Sequence, residues 1–152
     1  METAMLHQVA EIQLIYRNKV PASMRPRVDS NLEAYELVIQ SWNPDKIDFI
    51  EEFKVLLLNS AGHVLGISEI ASGGIGGVFA EPRLIYISAL KANAKGMVLF
   101  HNHPSGNLTA SEADINFTKA VIRGAVYLDL VVIDHLIVTS EGYYSLAENG
   151  CL

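Results

Sequence analysis

The sequence predicts an α/β domain, a central sheet with helices packed on it. Three observations carry that expectation. Ser30-x-x-Glu33 and Thr109-x-x-Glu112 read as capping boxes ahead of helical segments, and Pro82 is placed to open another helix. Short β-branched and apolar runs alternate with these segments. A polar, Gly-containing connection from Asn59 to Gly62 joins two of the runs as a hairpin. Such mixing fits neither a helical bundle nor a β-sandwich.

Taken in order, VAEIQLIYRNK from Val9 to Lys19 suits a strand followed by a basic turn, and Pro21 and Pro26 break it. A helix is expected from Asn31 to Trp42, with Leu32, Tyr35 or Glu36, and Ile39 at helical spacing. NPDK at 43–46 punctuates, and IDFIEEFKVLLLNSAGHVLGISEIAS follows as the two hairpin strands. Gly73, Gly74, Gly76 and Gly77 make a loop, and the helix opened by Pro82 runs through RLIYISALKANA to a stop at Gly96. Met97 to His103 is the most apolar strand approach in the chain. Pro104-Ser105-Gly106-Asn107 forces a turn, and a helix runs from the second capping box to about Arg123. LDLVVIDHLIV supplies a further buried strand, and EGYYSLAENG a hairpin-like finish. No repeat or linker divides the chain, so residues 1–29 are expected to be a strand and arm of the same globule as 30–152.

Composition bounds the function. At 152 residues, half of them apolar, the chain is long enough for one domain with a real core. A single cysteine, Cys151, allows no internal disulfide, no Cys-x-x-Cys pair and no cysteine-built zinc cage, which fits a reducing cytoplasm. The N-terminus has no signal-like apolar run, and no stretch nears the roughly 18 apolar residues of a membrane span. A net charge of −6 argues against strong nucleic-acid binding by this chain alone.

The chemistry-bearing residues are His101-Asn102-His103-Pro104-Ser105-Gly106, then Ser111 and Asp114. Alternation along a strand puts His101 and His103 on one face and Asn102 on the other. Ser111 and Asp114, three apart on the next helix, share a face that Thr118, Val121 and Ala125 continue inward. The tight turn folds that helix start over the strand end. Two imidazoles and a carboxylate suit a catalytic zinc, which takes three protein ligands and keeps a position for water, lowering its pKa to about 7. Magnesium prefers oxygen donors, and copper would usually show sulfur donors. Of the pair Glu51-Glu52, alternation puts Glu51 with Phe53, Val55 and Leu57, while Lys54 marks a more exposed side for Glu52. Glu51 is therefore the expected general acid and base, and Ser111 is expected to donate to a developing oxyanion or to hold the water. Asp134 and His135 could form a second metal or relay pair, but read better as a structural turn or as groups supporting the ligands. His7 and His63 are expected in solvent, Cys151 as an inert thiol, and the GGIGG loop has no phosphate-cradle spacing.

With those residues in view, the chain resembles the JAMM (MPN+) metalloprotease-like domain, and within it the RadC-like family of bacterial proteins. The pattern is a distant Glu, here Glu51, then His-x-His-Pro, a spacer and Ser-x-x-Asp, here HNHPSGNLTASEAD from His101 to Asp114. EEFKVLLLN, HNHPSGN, IDHLIV and GYYS carry the RadC-like flavour. The resemblance implies a three-layer α-β-α, cytidine-deaminase-like fold with a mixed sheet. It also implies one zinc held by His101, His103 and Asp114, with Glu51 as acid/base and Ser111 as oxyanion partner. Full-length members of that family resemble a fusion to an N-terminal helix-hairpin-helix segment, for which this chain has no room.

The leading expectation is thus a zinc-dependent hydrolase of a peptide or isopeptide bond, acting on a peptide or protein substrate, with self-association left open. A metal-binding accessory or interaction module of DNA metabolism without proteolytic activity is the alternative. A nucleobase deaminase would need His-x-Glu and Pro-Cys-x-x-Cys, which are absent. The string HNH is coincidental, since nuclease motifs of that name scatter the residues.

Overall fold

The computed structural model describes residues 9–73 and 80–152. His7 and the loop glycines Gly74, Gly76 and Gly77 lie outside the described residues. One α-helix precedes the sheet, α1 (Asn31–Ile39), followed by β1 (Glu52–Leu58), β2 (Val64–Ser72), α2 (Pro82–Lys91), β3 (Gly96–Asn102), α3 (Glu112–Val126), β4 (Val131–Val138) and β5 (Tyr143–Ser145). The strands form one mixed sheet in the order β2-β1-β3-β4-β5. Among the described strands only β3 and β4 pair in parallel, and α3 is their crossover.

The layers follow from what each helix buries. Ala34 and Val38 of α1, with Trp42 and Ile47, pack on Leu56, Leu58, Val98, Phe100, Leu136 and Val138. On the opposite face Ile85 and Ala89 of α2 and Val121 and Ala125 of α3 pack on Val55, Leu57, Met97 and Leu99. The molecule is therefore a three-layer α-β-α domain. Strands β1 and β3 are buried at all seven positions, as central strands covered on both faces must be.

Several local expectations need correction. Ser30 caps α1 by accepting the Glu33 amide, but the Glu33 carboxylate accepts the Asp29 amide, one residue earlier than a closed capping box requires. That helix ends at Ile39 rather than Trp42, and its buried face is Ala34 and Val38, while Leu32 is 52% exposed. Small side chains let the helix axis approach the sheet, which apolar spacing alone does not report. Helix α2 ends well before Gly96: Asn93 takes φ 53°, and the amides of Asn93 and Ala94 bond the carbonyls of Leu90 and Ala89, closing a Schellman motif. Gly96 instead opens β3, where an added Cβ would come within 2.9 Å of Ile133.

Residues 9–19 form neither helix nor strand. A strand needs a partner, and this segment pairs with neither sheet edge. It is held through the Asn18 amide, which donates to the Leu65 carbonyl at 3.1 Å. The next residues join the body properly: Val28 and Val64 donate to the carbonyls of Gly62 and Pro26. The bridge between Arg27 and His63 makes His63 a half-buried residue rather than a solvated one.

Candidate metal centre

The centre is built where β3 runs out. Strand alternation sends His101 and His103 towards the α2/α3 face and Asn102 towards α1. The chain then turns at once, the Gly106 amide reaching the His103 carbonyl, with Gly106 at φ 81°. Helix α3 starts at Glu112, and its capping box is Ser111 with Asp114, not Thr109 with Glu112. Ser111 Oγ accepts the Asp114 amide at 3.0 Å and Asp114 Oδ2 accepts the Ser111 amide at 2.9 Å. A turn of two further residues separates Thr109 from the first helical hydrogen bonds, so its hydroxyl has no helix to cap.

His101, His103 and Asp114 consequently converge, one ligand atom from each lying within 4.8 Å of the others. The two Nε2 atoms are 2.9 Å apart, and Asp114 oxygens lie 3.4 Å from His101 Nε2 and 3.7 Å from His103 Nε2. A tetrahedral ion with bonds near 2 Å sets its ligand atoms roughly 3.3 Å apart, so the donor set matches one ion.

Hydrogen-bond partners assign the protons. His103 Nδ1 faces the Asn107 carbonyl at 2.6 Å, so it must donate, leaving a lone pair on Nε2. For His101 the logic runs through two more residues. Thr118 donates its one hydroxyl hydrogen to the Asp114 carbonyl at 2.7 Å and so accepts from His135 Nδ1 at 2.6 Å. His135 Nε2 is then an acceptor for His101 Nδ1 at 2.7 Å, and His101 Nε2 also keeps its lone pair. Two imidazole lone pairs therefore face each other across 2.9 Å, an arrangement that a cation between them makes favourable. Burial holds the His135 pKa well below the ordinary histidine range, consistent with the neutral ring this chain of bonds requires.

Charge at the site is concentrated on Asp114. Burial alone would raise its carboxyl, but interactions with His101 and His103 outweigh this and hold it well below the usual carboxylate range. In the ion's absence the hydrogen bond to Asp114 raises the His103 pKa, against an opposing burial effect, and the charge of Glu51 adds to the rise. Glu51 thus acts on the centre electrostatically from the residue just before β1. Its segment is anchored by Asn102, whose amide donates to the carbonyls of Ile47 and Ile50 and whose oxygen accepts the Glu52 amide at 2.6 Å.

The reason given by sequence for preferring Glu51 fails in one particular. Lys54 does not mark an exposed side: it is 6% exposed, donates to the Ser41 carbonyl and lies 4.6 Å over the Trp42 ring. Glu52 is buried on that same side, 3.9 Å from Lys54. A lysine in a strand can be interior when a carboxylate, a carbonyl and an aromatic face meet its ammonium group. Phe53, paired with His101 across β1 and β3 and stacked on its ring at 6.1 Å, identifies the centre's side of the strand.

Asp134 and His135 lie within β4 rather than in a turn. They point to opposite faces: His135 supports His101, and Asp134 accepts from Asn31, Ser145 and the amides of His135 and Ala147, tying α1 and β5 to β4. Cys151 is half-buried beside the Tyr144 hydroxyl. Sequence reasoning singled out neither the Thr118 hydroxyl, the Asn107 carbonyl nor the Asn102 amide. Thr118 had a signal, being a polar member four residues after Asp114 on an otherwise apolar stripe.

A mixed five-stranded sheet between helix layers, with His-x-His at a strand end and Ser-x-x-Asp at the next helix start, defines a JAB domain. More narrowly, residues 28–151 match the family model described as RadC-like JAB domain, and the chain belongs to that family. It is 41% identical over 100 residues to a UPF0758 protein of Flavobacterium johnsoniae, covering 66% of this chain and 44% of that one. It is 36% identical over 129 residues to a UPF0758 protein of Desulfitobacterium hafniense, covering 85% and 56% respectively. With a UPF0758 protein of Porphyromonas gingivalis the figures are 35% over 136 residues, 88% and 60%. The chain spans about half the length of the curated relatives it matches. No helix among the described residues is long and apolar enough to cross a membrane.

Proposed function

We propose that the chain is a zinc-dependent hydrolase of peptide or isopeptide bonds. The observation that carries this reading is the pair of imidazole lone pairs, each fixed by a hydrogen bond at the far ring nitrogen, facing one point beside an ionised carboxylate. Zinc fits a set of two nitrogens and one carboxylate, and when bound it supplies Lewis acidity and water acidified to near neutral pH. The chain's own residues then divide the work. Glu51 takes a proton from the attacking water and gives it to the leaving amine. Ser111 accepts the Asp114 amide on a lone pair, so its hydroxyl hydrogen can be donated to the carbonyl oxygen as that oxygen gains charge. Asp114 and the two histidines hold the ion, and His135, Thr118 and Asn107 hold the histidines.

Purified protein should contain one zinc per chain by mass spectrometry, lost in His101→Ala and Asp114→Ala; unchanged stoichiometry would remove these residues as ligands. Glu51→Gln should keep the metal and lower peptide hydrolysis by about 100-fold or more. A screen of the zinc-loaded protein against a peptide library supplies the substrate. Metal binding without cleavage of any peptide would favour the accessory-module reading instead.

A further inference from the structure

We propose that the apolar cavity beside the metal centre is a subsite for a bulky apolar side chain of a peptide substrate, so that cleavage falls next to residues such as Leu, Met or Phe. The inference rests on the hydrolase reading above. The cavity measures about 560 Å³, within the roughly 300–1,000 Å³ of ligand pockets. Phe53, Phe117, Ala113 and Pro82 supply apolar walls, the two phenylalanine rings meeting edge to face at 5.6 Å. Asp114 and His135 line the same space, so the cavity shares a wall with the centre. Ala113 is the residue before Asp114, so one turn of α3 carries both a cavity wall and a metal ligand.

The charges around the cavity choose its occupant. Two aromatic rings could also stack a nucleobase, but a nucleotide brings phosphate. Glu81 lines the cavity itself, away from the charge a bound ion would offset at Asp114, so phosphate entering there meets like charge. An acidic side chain is disfavoured for the same reason. A neutral apolar side chain on a peptide satisfies the walls without that repulsion, and filling such a pocket discriminates between side chains by roughly 10–100-fold.

Two measurements on the full chain test this. In the metal-free protein, acetyl-phenylalanine amide should shift the NMR amide signals of Ala113 and Phe117, acetyl-glycine amide should not, and Ala113→Trp, which fills the cavity, should abolish the effect. Equal shifts from both amides, or none, overturn the subsite. In the zinc-loaded protein, kcat/KM should favour Leu, Met or Phe over Gly at one position flanking the cut by tenfold or more, and Ala113→Trp should collapse that ratio. Ala113→Leu serves where the tryptophan variant does not fold. Cleavage without apolar preference overturns the subsite and leaves the hydrolase standing. Binding of the phenylalanine amide without cleavage of any peptide overturns the hydrolase reading, and with it the cavity's role in substrate choice.

Discussion

Thr118 has one hydroxyl hydrogen, and its destination decides which nitrogen of His101 would be free to face a bound ion. With the hydrogen on the Asp114 carbonyl, protons run from His135 to Thr118 and from His101 to His135, so Nε2 of His101 is bare. Thr118→Val removes both hydrogen bonds while conserving shape, and should lower zinc affinity about 10–100-fold, the usual effect of losing a group that orients a ligand. Thr118→Ser should restore most of it. Competition with a coloured chelator measures both, and a valine variant of unchanged affinity would refute the proton assignment. The contrast between legible and hidden residues is sharpest here. His101, His103 and Asp114 lie on one strand-turn-helix passage, so periodicity suffices to bring them together. His135 reaches His101 across 34 residues through a parallel strand pairing that no local pattern reports.

At the level of elements, the start of α3 caps the helix with the same atoms that the proposed mechanism uses at the centre. Ser111→Ala should cost about 1 kcal/mol through the lost cap, visible in the thermal midpoint, and should also lower hydrolysis. Ser111→Asp separates the two roles, since a carboxylate caps a helix but has no hydrogen to give an oxyanion. It should recover the midpoint and leave hydrolysis impaired; recovery of both would relieve Ser111 of its oxyanion role. At the same end of the sheet but on its other face, Asn102 fastens the segment before β1 with three hydrogen bonds. Asn102→Ala leaves an amide and two carbonyls without that partner, a loss of about 3 kcal/mol, measurable by urea denaturation. The entry to β1 also shows why part of the sheet resisted reading. Alternation was informative for Phe53, which faces the centre, and misleading for Lys54 because an interior ion pair imitates an exposed position.

For the whole molecule, pH and metal act on one balance. The metal-free protein binds a proton at His103 with raised affinity, so that contribution to stability is full below about 6.5 and is lost as pH rises through the folded pKa. Asp114 has the opposite sign: its depressed pKa stabilises the fold above the ordinary carboxyl range and is lost only in strong acid. The ion must displace the His103 proton, so the gap in thermal midpoint between zinc-loaded and chelator-treated protein should widen from pH 6 to pH 8. Scanning fluorimetry across that range checks it, and a gap that narrows would contradict the His103 assignment. The architecture as a whole was readable because alternating apolar runs and helix signals leave few ways to cover a sheet. The segment at 9–19 was not, because β-branched content says what a strand could be made of and nothing about whether a neighbour is there to pair with it.

The capping box also bears on ion size. One oxygen of Asp114 already accepts the Ser111 amide and is fixed by the geometry of the helix start. A bound ion would therefore meet a carboxylate whose rotamer is set in advance, with Oδ1 left open by the cap. A large cation such as calcium gathers 6–8 oxygens and draws on both atoms of a carboxylate. On the zinc reading proposed above, a carboxylate presented through one oxygen from a helix N-terminus would suit a small ion of low coordination number better than a large one.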